Sequence, residues 1–120
     1  LGATFHDAGG TGEPLGLDVS ISWDAGIELC SPMPGRDSFL EQHLEQNGEG
    51  IIAVVFGVDD ADEARDRAEK VGVNVLVPID YTREEIDQYL EGMFDRYKEY
   101  VLNSFETCGF GMMLGQIEPK

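Results

Sequence analysis

Hydrophobic and polar residues alternate most regularly in the segment LGLDVSISWDAG. Its apolar residues Leu17, Val19, Ile21 and Trp23 fall on one side of an extended chain, with polar residues between them. This period of two predicts a half-buried strand. The turn DAG then predicts a hairpin whose second strand is Ile27–Pro32. An earlier strand is predicted over Leu1–Ala8, ended by the Gly- and Pro-rich turn segment GGTGEP.

Three later segments have the apolar spacing that is typical of amphipathic helices. They are GRDSFLEQHLEQNGEG, DDADEARDRAEKVGV and YTREEIDQYLEGMF, the last predicting a helix over about 82–94. Each has residues that suit a helix start or end. The first helix has Asp37 or Ser38 as its N-terminal cap and Gly48 at its end. The second begins with a capping box of Asp60 and Glu63 and ends at Gly72. The third begins with a capping box of Thr82 and Glu85.

The remaining apolar segments predict four more strands. Ile51–Val58 is nearly all apolar, which is typical of a strand covered on both faces. NVLVPI is the next strand, and YKEYVLN and GFGMMLGQIEP are two closing strands joined by the tight connection SFETCG. Strands and helices mixed in this order predict an α+β fold.

Length and composition add that the chain is globular and very acidic. Its 120 residues, 42% hydrophobic, suit one domain with a packed core. Eight Lys and Arg against 24 Asp and Glu give a net charge of −16, which disfavours binding to nucleic acid or to an anionic membrane. The acidity otherwise indicates solubility, adaptation to salt, or attraction of a cationic partner. No apolar run approaches the length of a membrane helix and no secretory signal pattern is present, so a cytoplasmic protein with reduced thiols is expected.

Several motifs give the chain a resemblance to a known family. They are GIELCSP (26–32), GEGI (48–51), the sequence from Phe56 to Asp60, the helix end Ala68–Val73, and GFGMMLGQIEP (109–119). In this order they resemble the vicinal oxygen chelate superfamily, which includes glyoxalase I, bleomycin-resistance proteins, extradiol dioxygenases and methylmalonyl-CoA epimerase. The epimerase-like and glyoxalase-like members are the most similar.

The resemblance implies paired βαβββ modules. Residues 1–32 would be the last three strands of a first module, 33–50 a linking helix, and 51–120 a second module with the helix at about 82–94 inserted. The first module would lack its first strand and helix in this sequence, through trimming or because a partner subunit supplies them.

The resemblance also implies a divalent metal ion in the cup of the paired sheets, bound by His, Glu or Gln. Glu28 stands where a Gln or Glu ligand belongs, but Ala53 replaces the usual histidine and Leu114 the usual glutamate. Gln116 would occupy the position of this ligand only if the alignment of the last strand were shifted by two residues. We therefore expect neither a metal ion nor another cofactor. The alternative is a divalent ion bound by His6, Glu28 and residues outside this sequence.

A small apolar or amphipathic molecule in the cup is the ligand that this site implies. The residues expected to line the cup are Trp23, Cys30, Val55, Met112, Leu114 and Gln116. Several of them have a second interpretation. Trp23, Val55, Met112 and Leu114 would also suit a plain core, although the open cup of the family favours lining for the last three. Cys30, on the face of Glu28, would suit a buried filler or a nucleophile. Glu28 would be a general base or a solvated edge carboxylate, and His6 a ligand, an acid–base group or a surface residue.

Three functions follow from these alternatives. The first is a glyoxalase- or bleomycin-resistance-like protein with a degenerate metal site that binds a small molecule without metal. The second is an isomerase, epimerase or lyase, metal-dependent or not, that uses Glu28 as base or ligand. The third is a non-catalytic assembly module, since such half-barrels commonly pair, and a homodimer is expected in any case.

Overall fold

The structure is a computed structural model that describes residues 2–120. It consists of two compact units, one ending at Glu49 and one covering Gly50–Lys120, each with its own sheet. Most of the predicted linking segment 33–50 therefore belongs to the first unit. In the part of the chain that the structure describes, no helix is both long enough and apolar enough to span a bilayer.

The first unit is a three-stranded antiparallel sheet with short helical segments. Its elements are β1 (His6–Asp7), α1 (Gly9–Gly12), a 3₁₀ turn (Glu13–Leu15), β2 (Leu17–Ser22), β3 (Ile27–Pro32) and α2 (Phe39–Asn47). The strand order is β1-β2-β3. The predicted alternation is confirmed on β2, where Leu17, Val19 and Ile21 are buried and Asp18 is exposed. Trp23 lies just beyond the end of this strand and is partly buried.

β1 is much shorter than the predicted strand over residues 1–8, of which Leu1 lies outside the described residues. The strand ends because Asp7 accepts a hydrogen bond from the Gly9 amide at 2.9 Å, which turns the chain into α1. The segment predicted as a turn is thus helical. Gly12 is required there, because a Cβ at this position would lie 2.5 Å from Val19 Cγ2.

α2 begins and ends close to the predicted residues. Ser38, rather than Asp37, is the cap, and its hydroxyl accepts a hydrogen bond from the Leu40 amide at 3.2 Å. Gly48 follows the last turn with φ at 73°, a positive value that glycine adopts without steric cost, and ends the helix. Only one side of the helix is covered, since Leu40 is buried while Phe39 is 59% exposed.

The second unit has the βαβββ order that the resemblance implies. Its elements are β4 (Ala53–Gly57), α3 (Ala61–Lys70), β5 (Val75–Asp80), α4 (Arg83–Tyr89), β6 (Phe94–Leu102), α5 (Phe105–Cys108) and β7 (Gly111–Pro119). The strand order is β4-β7-β6-β5, in which β4 is parallel to β7 and the other pairs are antiparallel. The predicted inserted helix is α4, between the second and third strands of the module. The connection before β7, predicted as a tight turn, contains the single helical turn α5.

α4 is shorter than the predicted helix over 82–94. Its start is confirmed, because Thr82 and Glu85 form the full capping box, with bonds of 3.2 Å and 2.8 Å. The helix ends early because Glu91 and Gly92 both have positive φ, at 55° and 65°, which reverses the chain direction before β6.

β4 differs most from its prediction. The apolar run predicts a strand covered on both faces, but every residue of β4 is exposed and the preceding Ile51 is 87% exposed. β4 lies at the edge of the sheet, and its hydrogen-bonded neighbour is β7 alone. α3, which covers the sheet, packs against β6 and β7 instead. The apolar sequence of this strand is therefore not explained by burial inside the second unit.

α3 packs closely on the sheet through small residues. Ala61 and Ala64 are buried and form a core with Tyr100, Leu102 and Leu114 of the two central strands. Of the predicted capping box, one bond is present, in which Asp60 accepts from the Glu63 amide at 3.0 Å, while the Glu63 carboxylate pairs with Arg67 instead. Small side chains on one stripe of the helix allow it to approach the sheet closely.

A polar cluster ties α3 to β6 beside this core. Asp62 Oδ1 lies 2.8 Å from Lys98 Nζ and accepts a hydrogen bond from the Tyr100 hydroxyl at 2.5 Å. Arg65 donates to the same hydroxyl at 2.8 Å, and its guanidinium lies 5.1 Å from the centre of the Tyr100 ring. Cations and an aromatic donor thus surround one carboxylate of a very acidic chain.

This cluster should make the stability of the fold sensitive to acid. Lys98 first, and then Tyr100, lower the pKa of Asp62 from 3.8 to about 2. A carboxyl with a lower pKa in the folded state stabilises the fold above about pH 4, and that contribution is lost as the pH falls through about 2. We expect Asp62→Asn to lower the thermal midpoint at pH 7 and to reduce the loss of stability between those two pH values.

The matched control is Glu69→Gln, which removes one carboxylate from an exposed position of the same helix. Thermal unfolding followed by circular dichroism across this pH range distinguishes the two variants. An Asp62→Asn protein with the acid dependence of the wild type would contradict the role of the cluster.

Candidate functional site

The sheet of the second unit has two faces with different environments. One face packs under α3, as the contacts of Leu114, Tyr100 and Met112 with its core show. Side chains alternate along each strand, so the neighbours of these residues point to the opposite face, here called the open face. The open face carries Tyr97, Glu99 and Val101 on β6, Met113, Gly115 and Ile117 on β7, and Ala53 and Val55 on β4.

Two predicted lining residues lie on the other side of the sheet. Leu114 is 9% exposed and belongs to the core under α3, and Met112 packs against that core. Both residues therefore face α3 rather than the open face. The physical reason is the register of β7, which directs its even-numbered side chains to α3.

Gln116 follows the same register and has a structural contact there. Its side-chain oxygen accepts a hydrogen bond from the Ala61 amide at 3.0 Å, and its amide group donates to Glu118 at 2.9 Å. The first bond satisfies an amide of the first turn of α3, which has no partner within the helix. This side chain therefore joins the last strand to the start of α3.

Glu99 is the residue of the open face that the sequence analysis missed. It is 6% exposed, although it is an acidic residue on a face that is otherwise mostly apolar. Its directly paired neighbours are Gly115 on β7 and Ile79 on β5. Lys, Glu, Arg and Asp are rarely buried to this extent without a specific environment, so a buried carboxylate marks a candidate site.

Close packing beside Glu99 depends on Gly115. A Cβ at this glycine would lie 2.9 Å from Val55 Cγ1 and 3.4 Å from Ile117 Cδ1, so both apolar side chains lie over it. Val55 is on the open face and is 41% exposed. The carboxylate and this small apolar surface are thus adjacent.

Aromatic side chains cover one end of the open face. Tyr97 stacks on Tyr81 at a centroid distance of 5.4 Å and meets Phe94 edge to face at 5.5 Å. Tyr81 in turn contacts Tyr89 of α4 at 6.2 Å. The inserted helix therefore borders the face that contains Glu99, as a cover for a pocket mouth would.

The candidate residues of the first unit lie in one row across its sheet. His6, Ile21 and Glu28 are paired in register on the three strands, so His6 and Glu28 share a face but are separated by one strand. Their Cα atoms are then about 10 Å apart, twice the strand spacing. Glu28 is exposed and His6 partly buried.

Cys30 lies beside Glu28, as the strand period predicts. Its thiol donates a hydrogen bond to Glu28 Oε1 at 3.4 Å. Burial, and then the charge of Glu28, raise the pKa of the Cys30 thiol from 9.0 to about 12. A thiol that ionises so poorly suits a structural side chain rather than a nucleophile.

The residues present do not suit the metal ion that the resemblance implies. Among residues 2–120 no group of three or more His, Cys, Asp or Glu side chains is placed to bind one. The open-face positions of β4 and β7 hold Ala53, Val55, Met113, Gly115 and Ile117, of which none has the nitrogen or oxygen ligands that divalent ions prefer.

A separate surface depression lies in the first unit. Its volume is about 530 Å³, and it is lined by Pro14, Leu15, Asp37, Ser38, Phe39, Glu41, Gln42 and Glu45. It contains none of the predicted site residues. Because it is shallow and half polar, we favour the open face of the second unit as the candidate site.

The comparisons with known proteins identify the fold. No protein-family model matches the chain, and no curated protein matches it. Among solved structures, a hypothetical protein from Bacillus halodurans is 17% identical, with a TM-score of 0.66 over 90% of this chain and 72% of that one.

Two methylmalonyl-CoA epimerase structures are also similar. A variant of the Streptomyces coelicolor enzyme in complex with 2-nitronate-propionyl-CoA is 22% identical, with a TM-score of 0.61. An epimerase in complex with methylmalonyl-CoA and ammonium is 21% identical, with a TM-score of 0.62. Both alignments cover 90% of this chain and 75% of the other. The chain therefore has a vicinal oxygen chelate-like α+β fold, and identities this low establish the fold alone.

The environment of Cys30 gives a prediction for thiol chemistry. With a pKa of about 12, about one Cys30 thiol in ten thousand is ionised at pH 8. We expect iodoacetamide to alkylate Cys30 far more slowly than the exposed Cys108, as measured by mass spectrometry of peptides. Glu28→Gln should accelerate Cys30 labelling several-fold, because it removes the neighbouring negative charge.

Cys108 is the internal control, since its labelling should be the same in both proteins. If Cys30 were labelled as fast as Cys108 in the wild type, the assignment of a structural thiol would be wrong.

Proposed function

We propose that this chain binds a small apolar or amphipathic molecule on the open face of its second unit, with Glu99 accepting a hydrogen bond from the polar end of the ligand. The observation that carries the proposal is the buried Glu99 carboxylate on a mostly apolar sheet face. Small-molecule sites combine an apolar lining with a few fixed polar groups, and this face has that composition.

Gly115 and its neighbours support the location. The absent side chain leaves Val55 and Ile117 as the apolar surface next to the carboxylate. An ionised carboxylate has about four acceptor positions, so Glu99 can accept from a ligand in addition to its contacts within the protein. The charge of Glu99 favours a ligand with a cationic or N–H-bearing end and disfavours an anionic one.

The proposal does not include a metal ion. The position that would carry the histidine ligand is Ala53, and its neighbours on the same face offer no replacement. We propose binding by apolar contact and hydrogen bonding alone, which is the degenerate-site function that the sequence predicts.

Proton transfer is the second candidate function, and Glu99 favours it too. Two of the similar structures are epimerases in complex with acyl-CoA molecules. A shielded carboxylate beside apolar side chains is suited to removing a proton next to a carbonyl group. If the chain is an enzyme of this class, we propose Glu99 rather than the exposed Glu28 as its base.

Ligand binding can be tested with two probes that share one fluorophore. Dansylcadaverine carries an ammonium group and dansyl-6-aminohexanoate a carboxylate on the same five-methylene chain, so their affinities compare charge at constant apolar size. We expect dansylcadaverine to bind about tenfold more tightly, a difference of about 1.4 kcal/mol. Glu99→Gln should abolish this preference, and Gly115→Val should weaken both probes by crowding the face.

The matched control is Glu118→Gln, which removes one exposed carboxylate from β7. It corrects for the general attraction of a chain of charge −16 for any cation. Binding that is unchanged in the folded Glu99→Gln and Gly115→Val proteins would place the ligand elsewhere and overturn the proposal.

Proton transfer can be tested separately by incubating the protein with methylmalonyl-CoA in D₂O. An enzyme would exchange the proton on the carbon next to the thioester carbonyl, which mass spectrometry detects as a gain of one mass unit. We expect Glu99→Gln to slow any such exchange at least about a hundredfold, the typical contribution of a general base. Glu28→Gln is the control, and exchange lost only in that variant would restore Glu28 as the base.

A further inference from the structure

The surface depression of the first unit presents apolar side chains on a concave surface. Leu15 and Phe39 are 40% and 59% exposed, and both line the depression together with Pro14. Single exposed apolar residues are common, but an apolar patch with polar residues around it is typical of an interaction site. Because the depression is shallow, it suits a peptide segment better than a small molecule, which is usually enclosed.

The shape of the depression is fixed by the fold. One wall is the 3₁₀ turn Glu13–Leu15, and the other is the start of α2 with the residues just before it. The Met33 amide donates a hydrogen bond to the Gly16 carbonyl at 2.8 Å, which holds the end of the turn against the segment that leads to α2. A Cβ at Gly16 would lie 2.5 Å from the Asp37 carbonyl oxygen, so the two walls meet at a glycine. A partner would find this surface already formed, which lowers the entropic cost of binding.

Three carboxylates line the same depression beside its apolar residues. Glu41 and Glu45 are about one turn of α2 apart, which separates them by about 6 Å along the helix axis, and Asp37 lies just before the helix begins. All three residues are exposed, and within residues 2–120 none of them has an ion-pair partner. The depression thus combines apolar contact area with negative charge that the chain itself does not neutralise.

The distribution of charge indicates that the missing cations come from a different protein. Residues 1–49 contain nine Asp and Glu residues but only one Lys or Arg, Arg36. Five basic residues of the second unit already form ion pairs with acidic residues of that unit: Arg65, Arg67, Arg83, Arg96 and Lys98. The other two, Lys70 and Lys120, are far apart in the sequence. A second copy of this chain is therefore a poor source of a basic segment.

We propose that the depression binds an extended basic segment of another protein, with Lys or Arg side chains toward α2 and apolar side chains toward the 3₁₀ turn. In an extended chain every second side chain points the same way, at intervals of about 6.6 Å. Alternate cations therefore match the spacing of Glu41 and Glu45, and the apolar side chains between them contact Leu15.

The two kinds of contact have different roles in this arrangement. Burial of the apolar side chains supplies most of the affinity, and charge complementarity supplies the association rate and the choice of partner. Phe39 lies on the α2 side of the depression. There it can contact the aliphatic stems of the cations or stack on an Arg guanidinium.

Three rhodamine-labelled peptides test the proposal by fluorescence anisotropy. Lys-Leu-Lys-Leu-Lys has the proposed pattern, Lys-Lys-Lys-Leu-Leu has the same composition without alternation, and Lys-Ser-Lys-Ser-Lys has the same charge without apolar side chains. We expect the alternating Lys-Leu peptide to bind about tenfold more tightly than either of the other two, because only it matches both walls.

Variants of the depression identify the binding surface. We expect Phe39→Ala, and separately Glu41→Gln combined with Glu45→Gln, to weaken binding of the alternating Lys-Leu peptide about tenfold. Gln42→Lys should have a similar effect, since it places a cation in the depression and removes no apolar residue. All four side chains are exposed, so the fold should not depend on them, and circular dichroism checks that each variant is folded.

Two controls match these changes outside the depression. Asp18→Asn combined with Glu49→Gln removes two exposed carboxylates of the same unit, and Leu29→Ala truncates an exposed apolar residue of β3. Both controls should bind the alternating Lys-Leu peptide as the wild type does.

The remaining outcomes each contradict the proposal in a different way. Equal binding of the Lys-Ser peptide would indicate general attraction to an acidic chain, and equal binding of the non-alternating peptide would exclude the extended arrangement. Binding that is unchanged in folded Phe39→Ala and Gln42→Lys would place the peptide elsewhere. Self-association of the wild type that is lost in Phe39→Ala, as measured by sedimentation equilibrium, would mean that a second copy occupies the depression instead.

Discussion

Close packing of α3 on the four-stranded sheet determines how the rest of the second unit is arranged. Because the helix approaches through Ala61 and Ala64, the residues beneath it must be Tyr100, Leu102 and Leu114. Every other residue of β6 and β7 is then directed to the opposite face. The position of Glu99 and the close approach of Val55 and Ile117 to Gly115 are on the face opposite that contact.

The same contact organises the few positive charges of the chain. The chain has eight basic residues and 24 acidic ones. Two of the basic residues, Arg65 and Lys98, contact Tyr100 and Asp62 respectively at the border of α3. Arg96 and Lys98 both lie near Asp80 of β5, at 3.6 Å and 3.8 Å. Arg65, Arg96 and Lys98 thus join neighbouring elements, while Arg67 and Arg83 pair within their own helices.

Much of the fold could be predicted from local sequence, because local interactions determine those parts. The alternation on β2, the caps at Ser38, Asp60 and Thr82, and the stop at Gly48 all depend on residues a few positions apart. The module order and the inserted helix also follow from the sequence of predicted elements. By contrast, β1 was overestimated because Asp7 bonds to the backbone in competition with the strand.

The candidate site was less predictable, because it depends on which face of a strand meets the helix. In YKEYVLN both sets of alternate residues contain apolar and charged side chains, so periodicity alone cannot assign Glu99 to a buried face. The same ambiguity leaves cup lining and plain core both open for Leu114 and Met112, and the register of β7 places them beside the core under α3. The prediction that β4 is covered on both faces was wrong for a related reason. An apolar run indicates that a strand is suited to burial, but it does not show which other element covers it.

The bulge in β5 has a consequence for how this sheet can change during evolution. It lets Val75 face α3 while Val77 pairs on the open face, so one extra residue separates the two environments within a single strand. Loss of that residue would rotate one end of the strand by half a turn and exchange its inner and outer side chains. Substitutions on either side of the bulge can therefore accumulate independently, whereas a one-residue deletion there would disturb the helix-packed core or the open face.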